Sequence, residues 1–350
     1  MLLIVSPNAE KTKLPVFLLV VCLLSVTKLV AQQNDNYFTY YKTINAAEMG
    51  IVENKFDVAL HNYQVAFSLS NVYPFAKDYY NAAICAVKLE KKAIAFRFLS
   101  SLIERGLDKE ILTSDSLFLP IVSKRNFGKK IKIRAYNQQL IDSLKLLYEK
   151  DQHFRKMTGS YKVYGDTIKK IDRENDAILR SIINRYDYPS EKLVGLGEGI
   201  RFDKNFEIVI WHQTTLNYIS NYVNILENAA KRGLLIPQRA AVLIENHTGE
   251  TKYAIWSFYK VQCETCGDSL KQKVARFYYC YDLSEKMIAK YNSARAEIGV
   301  ESLEDYNRKI LFWLKHKEYK FFVGGAIPTF SFVSDTDMNQ FIGRMKTIPK

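Results

Sequence analysis

The 350-residue sequence holds none of the short motifs that announce a common chemistry. No Gly-x-Ser-x-Gly elbow presents a nucleophilic serine, no Gly-rich loop ends in Gly-Lys-Ser/Thr, and no dinucleotide fingerprint is present. His-Glu-x-x-His is absent, and the five histidines offer no pre-paired spacing for a metal. Acidic residues are in deficit, 37 against 50 Lys and Arg, which leaves a formal net charge of +13. Such an excess attracts anionic partners at long range. With no zinc finger and no aromatic signature of an RNA-binding sheet, nucleic acid is not an expected partner. A basic, solvated surface is the preferred meaning. Nor is there an apolar run of the roughly 20 residues that a spanning helix needs.

A shorter apolar run is present. Lys11 and Lys13 precede the stretch Leu14–Val26, and Leu29-Val30-Ala31 follows before a polar segment begins at Gln32. A positive start, a short apolar core and a terminal Ala form the layout of a secretory signal. Residues 1–31 are therefore expected to direct export to the periplasm or cell envelope, with an uncleaved anchor as the alternative. Four cysteines then remain, Cys85, Cys263, Cys266 and Cys280, in a compartment that permits disulfides. Cys263-Glu-Thr-Cys266 reads as a structural pair or free thiols in a turn between strands, and a disulfide to Cys280 is the other option. Zinc would need two further ligands, so no metal or other cofactor is expected.

Residues 37–106 repeat at an offset of 36. Ala47 matches Ala83, Gly50 matches Ala86, Ala59 matches Ala95, Tyr63 matches Leu99 and Ala66 matches Leu102. Small residues recur where two helices approach, and larger apolar ones recur one and two turns later. The pattern resembles the tetratricopeptide repeat. The resemblance implies a helical-hairpin stack over 37–135 that binds a protein or peptide partner. The segment Lys124–Arg134 then carries six basic residues in eleven positions. It reads as a solvated linker, with contact to an anionic membrane surface, aided by Phe127, Ile131 and Ile133, as the alternative.

Residues 136–335 are expected to form a second, helix-rich α+β domain. Helical spacing covers about 137–158 and 165–185, and Pro189 closes the loop that follows. Glycines 195, 197 and 199 mark a turn. A buried helix is expected from Phe206 to about residue 231, with Gly233 as its cap. Two stretches rich in β-branched and aromatic residues, Tyr253–Gln262 and Val274–Tyr281, predict a β-hairpin over 253–281. A charged helix follows over about 302–317, ahead of an apolar stretch broken by Gly324-Gly325. The fold class is thus mainly α: a short hairpin stack followed by a helix-rich domain with one β-hairpin.

Within this second domain several polar residues fall at helical spacing. Asp151 and Arg155 lie four apart with Gln152 beside them, and Asp172 and Asn175 share the next helix. His212 sits at the end of the apolar run Ile208-Val209-Ile210-Trp211. The other histidines, His61, His153, His247 and His316, read as exposed. The order Asp151-Gln152-x-x-Arg155, Asp172-x-x-Asn175, Tyr188-Pro189, Val194-Gly195, His212, Ala240 and Glu245 resembles a bacterial family catalogued as domain of unknown function 6624. Members of that family are often exported and often follow tetratricopeptide repeats. The resemblance implies a polar site but no established reaction. It is imperfect at Gln213-Thr214, where such domains have a small residue and Asp, and around Glu245-Asn246 and Lys252–Ile255. The reading preferred from sequence is therefore an envelope interaction protein that works through its repeats. The alternative is a hydrolase-like enzyme in which His212 is the general base, Asp151 or Glu245 orients it and Arg155 binds an anionic group. Gln152, Asp172 and Asn175 would line that site. A divalent-metal site built on His212 ranks last.

Overall fold

A computed structural model describes residues 35–349, apart from 124–126, 128–130, 197–204, 215–220, 264–276 and 322–326. The expected signal at 1–31, the turn at Gly197 and Gly199, Cys266, Gly324-Gly325 and all four basic residues of 124–130 lie outside the described residues.

The chain is mainly helical, as its periodicity predicts. Helix α1 (35–52) and α2 (Phe56–Phe67) form one hairpin, and α3 (Ala76–Lys88) and α4 (Lys92–Glu104) form the next. The second helices open at Phe56 and Lys92, so the offset seen in the sequence is the offset of the helices. Ala47, Ala59, Tyr63, Ala66, Ala83, Ala86, Ala95, Leu99 and Leu102 are all buried. Gly50 explains the demand for small side chains: a Cβ there would lie 3.1–3.2 Å from Ala59, closer than side chains normally pack.

Helix α3 is enclosed rather than half-exposed, with ten of its thirteen residues buried. An αα-hairpin alone cannot do this, because one face of an outer helix stays in water. The later part of the chain supplies the cover. The Ala76 amide donates to Glu191 Oε2 at 2.9 Å, and the Lys320 amide donates to Asn81 Oδ1 at 2.7 Å. Buried charges bind the two halves as well. Glu48 on α1 accepts from Lys77 and from Lys309 at 2.7 Å each; Lys77 also meets Asp78 at 2.7 Å, and Lys309 also meets Glu301 at 2.6 Å. One continuous hydrophobic core accordingly runs from Tyr37 to Phe321.

Short helices α5 (Lys109–Thr113) and α6 (Leu119–Val122) lead into the second half. Phe127 is buried with its ring 5.2 Å from Phe96, so it is a core residue and not, as the sequence suggested, an apolar contact for a membrane. Helix α7 (Gln138–His153) starts on an Asn137 cap whose Oδ1 accepts from the Leu140 amide at 3.1 Å. A 3-10 turn, Phe154–Lys156, and Gly159 at φ +87° reverse the chain into α8 (Ser160–Tyr186). Four helices follow: α9 (Glu191–Val194), α10 (Glu207–His212), α11 (Val223–Lys231) and α12 (Pro237–Thr248). The single helix expected from 206 to 231 is therefore two. Gln213 leaves helical geometry at φ −83°, ψ 72°, where its side chain and backbone take tertiary partners instead. Gly233, at φ +68°, follows the end of α11 as anticipated.

Of the two predicted stretches, 253–262 is strand only from Lys260 on and 274–281 only from Phe277 on, and the two strands do not pair with each other. β1 (Lys260–Cys263) runs parallel to β3 (Thr329–Phe332), with Lys260 opposite Thr329; β2 (Phe277–Tyr281) runs antiparallel to β4 (Met345–Pro349), with Phe277 opposite Pro349. Alternation marks each stretch as a strand but carries no information on its partner. Cys263 is disulfide-bonded, whereas Cys85 and Cys280 are free, which removes the option of a disulfide to Cys280. Among the described residues no helix is long and apolar enough to cross a membrane.

Candidate functional site

The α7–α8 hairpin and the end of α10 bring five of the predicted residues together. Asp151 belongs to the last turn of α7, and Arg155 follows in the 3-10 turn, one helical turn on. Asp172 faces them from α8. Its carboxylate accepts both Oδ1 and Oδ2 contacts from one Arg155 Nη, at 2.8 and 2.9 Å. The other Nη donates to the Asp151 carbonyl at 2.8 Å and lies 3.3 Å from Asp151 Oδ1. Both carboxylates are about 1% exposed. Two acids at this depth repel unless a cation stands between them, and the guanidinium does so.

His212 completes the cluster from the last turn of α10. Its Nδ1 lies 2.9 Å from Asp151 Oδ1, and its side chain is 22% exposed. Gln152 Nε2 donates to the second oxygen, Asp151 Oδ2, at 2.8 Å. Asp151 is thus fixed by three neighbours and fixes the imidazole in turn. An Asp on Nδ1 selects the tautomer and the orientation of the imidazole. Burial raises the Asp172 carboxyl above its ordinary range; the Arg155 guanidinium pulls it down, and the Asp151 charge adds to the rise.

Asn175 supports this group from one turn along α8, donating to the Leu147 carbonyl of α7 at 3.2 Å. Gln213, read in the sequence only as a departure from the family pattern, is buried and donates through Nε2 to the Asp172 carbonyl at 3.0 Å. Among the described residues, the side-chain oxygens of both amides are buried without a partner. His247, read as exposed, is buried: the Tyr222 amide donates to its Nε2 at 3.4 Å, and its Nδ1 meets the Gln213 carbonyl. With the Tyr222 amide donating to Nε2, Nδ1 is the nitrogen left to donate to the Gln213 carbonyl, and the ring clamps the chain just after His212. A histidine on a polar-looking helix gave no sign of this, because its partners come from distant sequence.

Glu245 is not part of the cluster's hydrogen-bond network. It accepts from the amides of Tyr253 and Ile255 at 2.5 and 3.2 Å, which makes it an anchor for the loop after α12. Burial lifts its carboxyl to about 7 against the pull of those amides and of Arg295. The neighbouring Asn246 reaches α10, donating to the Trp211 carbonyl at 2.7 Å. Arg155 also differs from its expected role, since its terminal nitrogens are engaged by Asp151 and Asp172 instead of facing an open anion site.

One ligand atom each from Asp151, Asp172 and His212 fall within 4.8 Å of one another, a spacing compatible with a metal shell. The Arg155 guanidinium stands between the two carboxylates, however, so a divalent ion would have to displace a bound cation. Comparisons with models of known protein families, with curated proteins and with solved structures returned no match.

Proposed function

We propose that this chain is an exported, envelope-associated enzyme in which His212 acts as a general base on water, with Asp151 orienting it, in a hydrolase-like reaction. The observation that carries the reading is the His212 Nδ1 to Asp151 Oδ1 contact of 2.9 Å, built from side chains 61 residues apart. Asp151 is buried and already compensated by Arg155, while the imidazole is partly exposed. Arg155 and Asp172 serve as positioning residues in this scheme. The Cys263 disulfide agrees with an oxidising compartment.

Interaction through the tetratricopeptide-like hairpins is the second reading, and the repeat spacing supports it. The enclosure of α3 weighs against a partner groove on that helix, because the chain's own residues fill the space.

The test is a hydrolysis screen with chromogenic carboxylic esters, phosphate esters and glycosides. The parent protein should turn over at least one class. His212→Ala and Asp151→Asn should each lower kcat by about 10²–10⁴-fold, the usual worth of a positioned base, with KM little changed. Turnover that is absent throughout the panel, or indifferent to both substitutions, would overturn the proposal.

A further inference from the structure

The turn between α7 and α8 presents Arg155 to the site, but most of its side chains face away from it. Met157, Tyr161 and Val163 are 41%, 46% and 64% exposed. Lys150, Lys156 and Lys162 belong to the same stretch and are exposed too. Between residues 150 and 164 the one acid is Asp151, which is buried against Arg155 and His212; exposed Glu149 and Asp166 flank the tip, Asp166 lying 3.8 Å from Lys169. The outward face of this tip is therefore positive and apolar at once. Gly159 is left-handed at φ +87°, and a Cβ there would lie 2.3 Å from Val163 Cγ2, so the turn requires glycine.

We propose that this tip is a docking surface for an anionic phospholipid bilayer. The end of a two-helix hairpin is a protrusion, which suits insertion between headgroups. A protein partner would instead need a complementary surface of about 1,000 Å² or more to hold. Lysine stems lie along apolar surface while their ammonium groups reach lipid phosphates. Tyrosine rings sit readily at headgroup level: Tyr161 is exposed, and the Tyr148 ring lies 5.4 Å from Lys156 Nζ. Each lysine at an anionic surface is worth about a fivefold gain in binding. Three exposed apolar side chains anchor what the charges attract. The docking does not depend on proton transfer at His212, though it would bring that site to the membrane surface.

The experiment is co-sedimentation of the full chain with vesicles of phosphatidylcholine alone or mixed with phosphatidylglycerol. The apolar N-terminal segment is present in every variant, so it cancels in the comparison. Lys150→Glu/Lys156→Glu/Lys162→Glu should lower affinity for the mixed vesicles by about a hundredfold. Met157→Ser/Val163→Ser should lower it about tenfold without changing retention on heparin. His212→Ala should bind as the parent does, which separates this proposal from the catalytic one. Tyr161→Trp adds a reporter whose emission should shift to the blue on mixed vesicles only. Four results would overturn the proposal. The triple variant binds within twofold of the parent; the added emission does not move; Met157→Ser/Val163→Ser loses nothing, which would mark a polyanion site; or only Lys132→Glu/Arg134→Glu, in the preceding linker, weakens binding.

Discussion

Arg155 is the residue on which the candidate site balances. It neutralises two carboxylates that are each about 1% exposed. Removing one partner from such a buried set costs about 3–5 kcal/mol, because the remaining charge stays desolvated. Arg155→Ala should therefore lower the urea midpoint sharply at pH 7. The loss should shrink near pH 4, where a carboxylate left without its cation can take up a proton; an equal loss at both pH values would refute this account. Glu245 gives a second prediction at this scale. Its carboxyl is raised to about 7 from 4.5, so the folded state holds the proton more tightly than the unfolded chain. The associated stability is present below about 4.5 and is lost as pH rises through 7, on the order of 3 kcal/mol in all. Glu245→Gln should remove this slope. The difference between parent and variant in urea midpoint, compared at pH 4.5 and 7.5, measures it directly.

At the scale of elements, the end of α11 shows how local and long-range demands meet in one position. Gly233 adopts φ +68°, and a Cβ there would fall 1.8 Å from the Tyr37 ring of α1. Tyr41, on the same helix, donates to the Ala230 carbonyl of α11. Gly233→Ala therefore faces backbone strain of about 1–3 kcal/mol and a collision that only movement of α1 can relieve. A fall in Tm of several degrees is expected, larger than that for Gly165→Ala, whose Cβ would meet Tyr161 at an ordinary 3.8 Å. Equal effects from the two substitutions would mean that α1 is not held against this turn. The strands teach the complementary lesson. Their residues are β-forming by composition, yet each found a partner from the last 22 residues of the chain (329–350) instead of from its neighbour.

The whole molecule is joined by charge as well as by its core. Lys309 lies 2.7 Å from Glu48 of the first hairpin and 2.6 Å from Glu301 of the second half. The two ammonium groups hold the Glu48 carboxyl down at about 2 against the effect of burial. Glu48 thus adds stability above about 4.5, and that contribution fades as pH falls toward 2. Lys309→Met should cost about 3–5 kcal/mol while leaving unfolding as one calorimetric transition, because both halves share the network and the core. For the same reason residues 37–135 expressed alone should show little ordered helix by circular dichroism. Two separate transitions, or a well-folded fragment, would contradict this picture.

The 36-residue offset, the burial of its small residues, most helix positions and the pairing of Asp151 with Arg155 were legible in the sequence. Each depends on spacing along one helix or on two neighbouring helices joined by a short turn. His212 was marked by its place at the end of an apolar run, though nothing in its own segment named Asp151 as its partner. What the sequence could not contain was every choice between distant partners. The tertiary structure gave Glu245 to the 253–255 backbone, buried His247 behind Gln213, ended α10 at His212 and sent β1 and β2 to separate C-terminal strands. Those choices follow from which buried polar groups can satisfy one another once the core has closed, and a one-dimensional pattern does not carry that information.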